Sequence, residues 1–549
     1  MLLFFTSLMM ACGWCYTLVG GQITILELEL LNISRTNFSI ILIVDKINLS
    51  FSMVVTLIAG RVFTFAHKYI EEDHYRDRFL WILMAFVIRM NLLTFSGSIF
   101  FLLLGWDGLG ITSFALIIYY QSNESLRAGF QTLMVNRLGD AIIVVSTFLF
   151  IILGQFSFIS LTDSFIRVGL VLMLSVAALT KRAQYPFRSW LPAAMAAPTP
   201  VRALVHSSTL VTAGIFLIIR LCYNIPLREE IKSLLLFVRA ITCLLGGWAA
   251  TYENDIKKII ALSTLSQLGV IVFSLGLGFP NLALFHLYTH ALFKALLFLA
   301  AGNILMATYG SQDIRLIGGI GISIPFTIII FNVSSLCLVG APFLRAFYSK
   351  HVILEKMVIS GLNFSSMLII FLATVITAKY VSRSLKAVSW NKPTSPIIAV
   401  SSNFYTTFPV TVLGIGGIVG GKFLSIIDSG NLELAFIPRS WGRFINVVTI
   451  TGIVLGLVRG SRILSNHYLS TMFFLTPVVR LGSKALAPFV KQMLVLDYGW
   501  LEPSFSVKSY HNNFGATLRD LGVWPQKQSF LMAGAILTFT LVFVTSSYF

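Results

Sequence analysis

The sequence predicts an all-α polytopic membrane protein of about fifteen transmembrane helices. Its 549 residues are 56% hydrophobic and only 11% charged, against about 25% charged in a soluble globular domain. Mean hydropathy is +0.85. Apolar stretches of the ~20 residues needed to cross a bilayer recur almost end to end. Backbone groups in lipid must bond within their own segment, so these spans are helices and not sheets.

In chain order the spans are read at 2–20, 47–67, 79–97, 98–120, 129–153, 165–195, 200–223, 233–250, 256–278, 281–305, 321–348, 361–387, 405–426, 444–460 and 529–547. The N-terminal run MLLFFTSLMMACGWCYTLVGG has no basic n-region and no Arg/Ser-rich presequence, and reads as a first transmembrane helix. Two spans are broken, one by Trp190-Leu-Pro-Ala-Ala-Met-Ala-Ala-Pro-Thr-Pro200 and one by Gly340-Ala-Pro342. Proline removes a helix donor and clashes with the preceding turn. Interrupted spans at corresponding places in two halves point to an inverted-repeat transporter with its ion path at mid-membrane. The expected organisation is N-terminal helices over 1–78, two inverted five-helix repeats over 79–223 and 233–387, and further helices over 388–460. The more polar stretch 461–528 places Met472, Phe473, Leu475, Val479, Leu486, Phe489 and Val490 at helical spacing, with Arg480, Lys484 and Lys491 between them. That pattern predicts a lateral amphipathic helix along the membrane or neighbouring subunits, before a terminal anchor over 529–549.

The net charge of +18 sits mainly in short loops and at helix ends, as expected of loops kept on the negative side. No nucleic-acid module is present. Cys12-Gly-Trp-Cys15 has redox spacing but lies in an apolar span without a βαβ context, so packing is the simpler reading. The glycines of 414–421 suit close helix approach. Gly105-Trp-Asp-Gly108-Leu-Gly110 follows no strand and is a weak dinucleotide motif.

Ionisable groups inside spans are costly and mark ion or proton paths. Candidates are Asp107, Lys181, His206, His286, His290, Lys294 and Lys350, with Lys257 and Lys258 opening a helix. His286, His290 and Lys294 are spaced by four and stack on one helix face. Histidine titrates near neutral pH, and a lysine taken out of water gives up its proton more readily. Lysines and histidines linked by water therefore make a plausible proton wire that titrates as a coupled set. Competing readings stand beside each. His286 and His290 at i, i+4 could bind a metal but lack an evident third ligand. His206 could be a packing residue. Lys257 and Lys258 could snorkel to the interface.

The runs 191–200, His206-Ser-Ser-Thr-Leu-Val-Thr-Ala-Gly214, Asn254-Asp-Ile-Lys-Lys258, Ser266-Gln-Leu-Gly269, His290-Ala-Leu-Phe-Lys294, Gln312-Asp-Ile-Arg315 and Phe347-Tyr-Ser-Lys350 closely resemble the chain 5 family of mitochondrial NADH–ubiquinone oxidoreductase. These are the distal antiporter-like subunits of respiratory complex I. The resemblance covers nearly the whole chain. It implies a multi-pass subunit of the mitochondrial inner membrane that moves protons as electrons pass from NADH to ubiquinone. It implies no cofactor in this chain, because flavin and iron–sulfur clusters belong to other subunits. Its partners would be other membrane-arm subunits and phospholipid, and no nucleic acid. Asp107 and Lys181 resemble the family's carboxylate–lysine pair. His206, His286, His290 and Lys294 resemble its central hydrophilic axis, and Lys350 its terminal lysine. Arg137 and Asp140 resemble a pair facing the adjacent antiporter-like subunit. The chain departs from the family in Asp107, where many members have Glu, in His351, where Asp is usual, and in an N-terminus that looks one helix shorter than the vertebrate form.

Arg89, Arg182, Arg188, Arg202, Arg239 and Arg345 fall where small residues are expected. An arginine at mid-span costs roughly 2.5–3.5 kcal/mol on insertion scales. The hypothesis is that some of these codons are read as serine in the organelle; without the six, the net charge would be 18 − 6 = +12. Two other functions fit the same features. A cation/proton antiporter subunit would be isolated as a self-contained exchanger, and a non-conducting structural spacer would keep pumping intact when its lysines are removed.

Overall fold

The computed structural model describes residues 2–33, 36–153, 156–158, 165–205, 207–224, 227–342, 344–360, 364–392, 403–427, 439–458, 484, 487–489 and 491–493. The chain divides into two units, Met1–Phe474 and Leu475–Phe549. Most of the expected lateral segment 461–528, all of the terminal span, and His206 lie outside the described residues. The few second-unit residues described are helical.

The first unit opens with α1 (Leu2–Gly20), an antiparallel hairpin of β1 (Thr24–Ile33) and β2 (Thr36–Val44), and α2 (Lys46–Tyr69). There follow α3 (Arg76–Phe95), α4 (Ile99–Ile117), α5 (Asn123–Leu153), α6 (Phe165–Lys181), α7 (Trp190–Ala193), α8 (Thr199–Val205), α9 (Leu210–Asn224), α10 (Glu229–Ala250) and α11 (Ile256–Gly276). The unit continues with α12 (Pro280–Ala307), α13 (Pro325–Val339), α14 (Arg345–Ile359), α15 (Phe364–Leu385), α16 (Phe404–Ile427) and α17 (Arg439–Val458). Among the described residues, 12 spans are long and apolar enough to cross a membrane, with two shorter apolar helices besides.

Two of the expected spans differ in detail, for local reasons. The span read at 165–195 leaves the helix at Lys181, where Ala183 takes a left-handed φ of 56°. The span read at 200–223 is found as one span, Thr199–Asn224, made of α8 followed by α9. The span read at 321–348 breaks at Gly340 as expected, its φ of 88° capping α13, but α14 runs past the expected end to Ile359. The hairpin was not expected. Its signal was the alternation Leu26-Glu27-Leu28-Glu29-Leu30, a period-2 pattern in a segment too polar to span.

The hairpin is stitched to the helix ends beside it. Gly97 N–H donates to the Ile41 carbonyl at 2.7 Å, Ile99 to Phe156 at 3.1 Å and Phe158 to Gly97 at 3.0 Å. Asn224 Nδ2 donates to the Phe158 carbonyl at 2.8 Å. Helix direction alternates along the chain, so the ends of α3, α5 and α9 share this membrane face. The loops after α10 and α12 share the opposite face and are joined there: Ile256 N–H donates to Gln312 and Ile314 N–H to Asn254, both at 2.9 Å.

Burial separates core from periphery. The apolar window of α11 is 100% buried and that of α12 is 94% buried, against 6% for α1 and 17% for α17. The outer helices present apolar faces that only lipid or other subunits suit. Asp45 anchors the hairpin to this core. Its Oδ1 caps α2 by accepting from Asn48 N–H at 2.9 Å, and its Oδ2 pairs with the largely enclosed Arg220 of α9. Breaking a fully buried pair strands a charge, at about 3–5 kcal/mol, an upper bound for this partly buried one. Asp45→Ala is therefore expected to lower the thermal stability of the assembled protein by up to that amount, and Asp45→Asn, which keeps the cap, by less.

Candidate functional site

Two clusters of polar side chains, each built around buried lysines, occupy the broken-helix regions. The first is built by α4, α5 and α6. Gly139 of α5 packs so tightly on Thr180 of α6 that a Cβ there would collide with the threonine hydroxyl. This contact brings their neighbours, Asp140 and Lys181, to the same level. Lys181 is fully buried. Its ammonium donates to the Trp106 carbonyl at 2.6 Å and lies 3.9 Å from the centroid of the same residue's ring. Arg137 Nη1 lies 3.6 Å from Asp107 Oδ2 and 3.4 Å from Asp140 Oδ2. The structure therefore gathers Asp107, Arg137, Asp140 and Lys181 into one site. Within it Asp107 pairs with Arg137, and Lys181 with Trp106.

The second cluster lies between α11, α12, α14 and α15. The helical spacing of His286, His290 and Lys294 holds, and all three are fully buried. Lys294 Nζ donates to the Ser263 hydroxyl. His286 Nδ1 meets Ser349 Oγ at 2.8 Å, and Ser349 meets Thr289 Oγ1 at 3.1 Å. Lys350 follows the Gly340 break. Its ammonium donates to Thr377 Oγ1 at 3.2 Å and to the Val339 and Leu338 carbonyls at 3.3 and 3.4 Å, two acceptors that the break leaves without helical donors. His351 Nδ1 lies 2.9 Å from Glu355 Oε1, so a carboxylate stands one turn beyond the position where Asp is usual. Neither ring nitrogen of His290 has a hydrogen-bond partner. No three metal-ligating side chains come together among the described residues.

Sequence reasoning passed over the neutral members of this cluster. Ser263, Thr289, Ser349, Thr377 and Tyr380 carry no charge, and mid-helix hydroxyls commonly bond their own backbone. The available signal was the run Ser263, Ser266, Gln267, which places polar groups at i, i+3 and i+4 on a helix otherwise buried among apolar neighbours. A cavity of about 20 Å³ lies between Ser263, Ser335, Tyr380 and Ser384, enough for roughly one water.

Lys257 and Lys258 line a larger cavity of about 690 Å³, together with Tyr69, Tyr120, Glu124 and the broken stretch 192–198. Lys258 pairs with Asp255 at 2.7 Å. In the adjoining loops, burial pushes the Glu253 carboxyl above its ordinary value. Hydrogen bonds from Arg315 hold the Asp313 carboxyl below its ordinary value.

The six doubtful arginines fare unevenly. Arg182 and Arg239 are fully buried and Arg202 and Arg345 are 2% exposed. No nitrogen of the Arg182 guanidinium has a hydrogen-bond partner. Among the described residues Arg239 reaches only the Val272 carbonyl, and Arg345 the Gly416 carbonyl at 2.7 Å. Arg89 presses on Gly108, and Arg188 lies 5.8 Å from the Tyr185 ring.

Comparison with known proteins agrees with this architecture. The family described as NADH:quinone oxidoreductase/Mrp antiporter, transmembrane region, matches residues 96–377. NADH-ubiquinone oxidoreductase chain 5 of Locusta migratoria is 39% identical over 90% of this chain and 87% of its own length. The chain 5 proteins of Lumbricus terrestris (37% identical, over 87% and 86%) and Mytilus edulis (34% identical, over 89% and 89%) are similar throughout. In fold the chain is like one from the Mrp complex of a Dietzia species, at TM-score 0.71 and 22% identity over 99% of this chain and 60% of that one. It is also like one from the archaeal membrane-bound sulfane sulfur reductase, at TM-score 0.69 and 19% identity over 86% and 92%. The chain belongs to the NADH–ubiquinone oxidoreductase chain 5 family.

Proposed function

We propose that this chain carries protons across the mitochondrial inner membrane along its buried lysines and histidines, driven by electron transfer from NADH to ubiquinone elsewhere in complex I. The observation that carries this reading is the burial of three lysines, Lys181, Lys294 and Lys350, each at most 3% exposed. None has a carboxylate within ion-pair distance among the described residues. Each is held instead by neutral acceptors. An ammonium held only by neutral groups in low dielectric is poised to change its proton, where a structural lysine would be paired.

Asp107, Lys181, His206, His286, His290, Lys294 and Lys350 make up the route, tuned at one end by Arg137 and Asp140. The cavity at Lys257 and Lys258 is its aqueous approach. The repeats 79–223 and 233–387 each supply one broken helix. The chain works as one part of the proton-translocating NADH:ubiquinone reductase. It does no NADH or quinone chemistry itself and holds no cofactor of its own. It docks on the adjacent antiporter-like subunit and on phospholipid.

Lys181→Met and Lys294→Met, each introduced into the assembled complex, are expected to abolish the protons moved by this subunit while assembly persists. The measurement is the proton-to-electron ratio in proteoliposomes. An unchanged ratio in both variants would leave the chain a passive spacer.

A further inference from the structure

We propose that Trp106 is the positioning residue for Lys181, its indole face and its own carbonyl together forming a resting dock that keeps the ammonium out of ion pairing with Asp107 and Asp140. This rests on the reading of Lys181 as a member of the proton route. Two contacts to one residue define the dock, the 2.6 Å hydrogen bond to the Trp106 carbonyl and the 3.9 Å approach to its ring. A cation within about 6 Å of an indole centroid is attracted by the ring quadrupole, most strongly when desolvated, and both groups are fully buried.

The backbone fixes where the dock stands. A Cβ at Gly105 would come within 2.9 Å of the Leu93 backbone nitrogen, so α4 sits against α3 with no room to shift. Among the described residues the indole Nε1–H has no hydrogen-bond partner, so packing holds the ring with its π-face turned to the lysine.

A second seat lies close by. Asp107 and Asp140 both act electrostatically on Lys181, yet both carboxylates lean on Arg137. The Oδ1 atom of each is buried without a hydrogen-bond partner. The lysine chain swings between two defined positions, a neutral one on Trp106 and an anionic one on the Asp107–Arg137–Asp140 group. Occupying the anionic seat requires Arg137 to loosen its hold. Arg137 is 44% exposed in its side chain, which leaves it open to a neighbouring subunit. The dock is thus the element that lets a movement of Arg137 be felt by Lys181.

The test compares Trp106→Phe, Trp106→Leu, Lys181→Met and the double variant Trp106→Leu/Lys181→Met in the assembled complex, by proton-to-electron ratio in proteoliposomes. Trp106→Leu keeps the carbonyl and an apolar side chain but removes the ring, and Trp106→Phe restores a ring at an intermediate size. The ratio of Trp106→Leu is expected to fall to near that of Lys181→Met, with Trp106→Phe retaining most of the normal ratio and the double variant no worse than Lys181→Met alone. If Lys181→Met lowers the ratio and Trp106→Leu does not, the dock is overturned while the proton route stands. A double variant distinctly worse than Lys181→Met also overturns it, because the tryptophan would then act through packing elsewhere. A normal ratio in Lys181→Met fails the underlying route instead.

Discussion

Mass spectrometry of the purified protein is expected to find serine at positions 182, 202, 239 and 345, where the sequence reads arginine. Four arginines at roughly 2.5–3.5 kcal/mol each would together approach the whole stability of a typical domain, about 5–15 kcal/mol. Natural proteins meet such a cost by pairing the charge. Here no carboxylate lies within ion-pair distance of any of the four among the described residues. Arg182 and Arg239 act on one another as like charges. The helices are also spaced for small side chains. The Arg182 stem lies against Gly214, and Arg345 fills the space beside Gly420 and Gly421. A serine would satisfy its hydroxyl on the preceding turn, as Thr180 and Ser208 do at 2.8 and 3.1 Å. Each such replacement also removes a tryptic cleavage site, so the peptide map changes visibly. Intact arginine at positions 182 and 239 would sink the idea.

The substitution Gly139→Ala is expected to uncouple the subunit more than it unfolds it. The added methyl meets the Thr180 hydroxyl and the Ala177 carbonyl, the latter at 3.4 Å. Overpacking of this kind costs about 1–3 kcal/mol, which a body of this size survives. The same displacement separates Asp140 from Lys181, the residues next to the two in contact. The proton-to-electron ratio should therefore drop while the complex still assembles with a moderately lowered melting temperature. Gly169→Ala in α6 is the matched control. A Cβ there meets nothing within 4 Å, and alanine favours a helix over glycine by about 1 kcal/mol. Equal effects of the two substitutions on pumping would refute the role assigned to the Gly139 contact.

Much of the fold was legible because lipid imposes one rule, that apolar length means helix, and the Pro- and Gly-rich stretches gave the breaks their places. What was missed lay where that rule does not reach. The hairpin over 24–44 is not a span, and its alternating Leu and Glu needed a period-2 search. In the site, charged residues announced themselves, since a lysine or histidine in an apolar run is rare. Their partners did not. Ser263 beside Lys294, Ser349 beside His286 and Thr377 beside Lys350 are chemically quiet until the fold supplies a neighbour. The pairing within the first cluster was also out of reach. Asp107 turns to Arg137 because α4 and α5 bring those two together, and the sequence holds no trace of that crossing.

The stitched hairpin on one face and the 254–256 to 312–314 joint on the other have a mechanical consequence. Helix ends tied by backbone hydrogen bonds cannot splay at either of these joints without breaking those bonds. A carrier that rocks its halves to pass a bulky solute needs such freedom, whereas a proton needs only a side chain that turns and a water beside it. On the proposed route the frame can stay shut while Lys181, Lys294 and Lys350 turn within it, a stiffness that suits the smallest cargo there is.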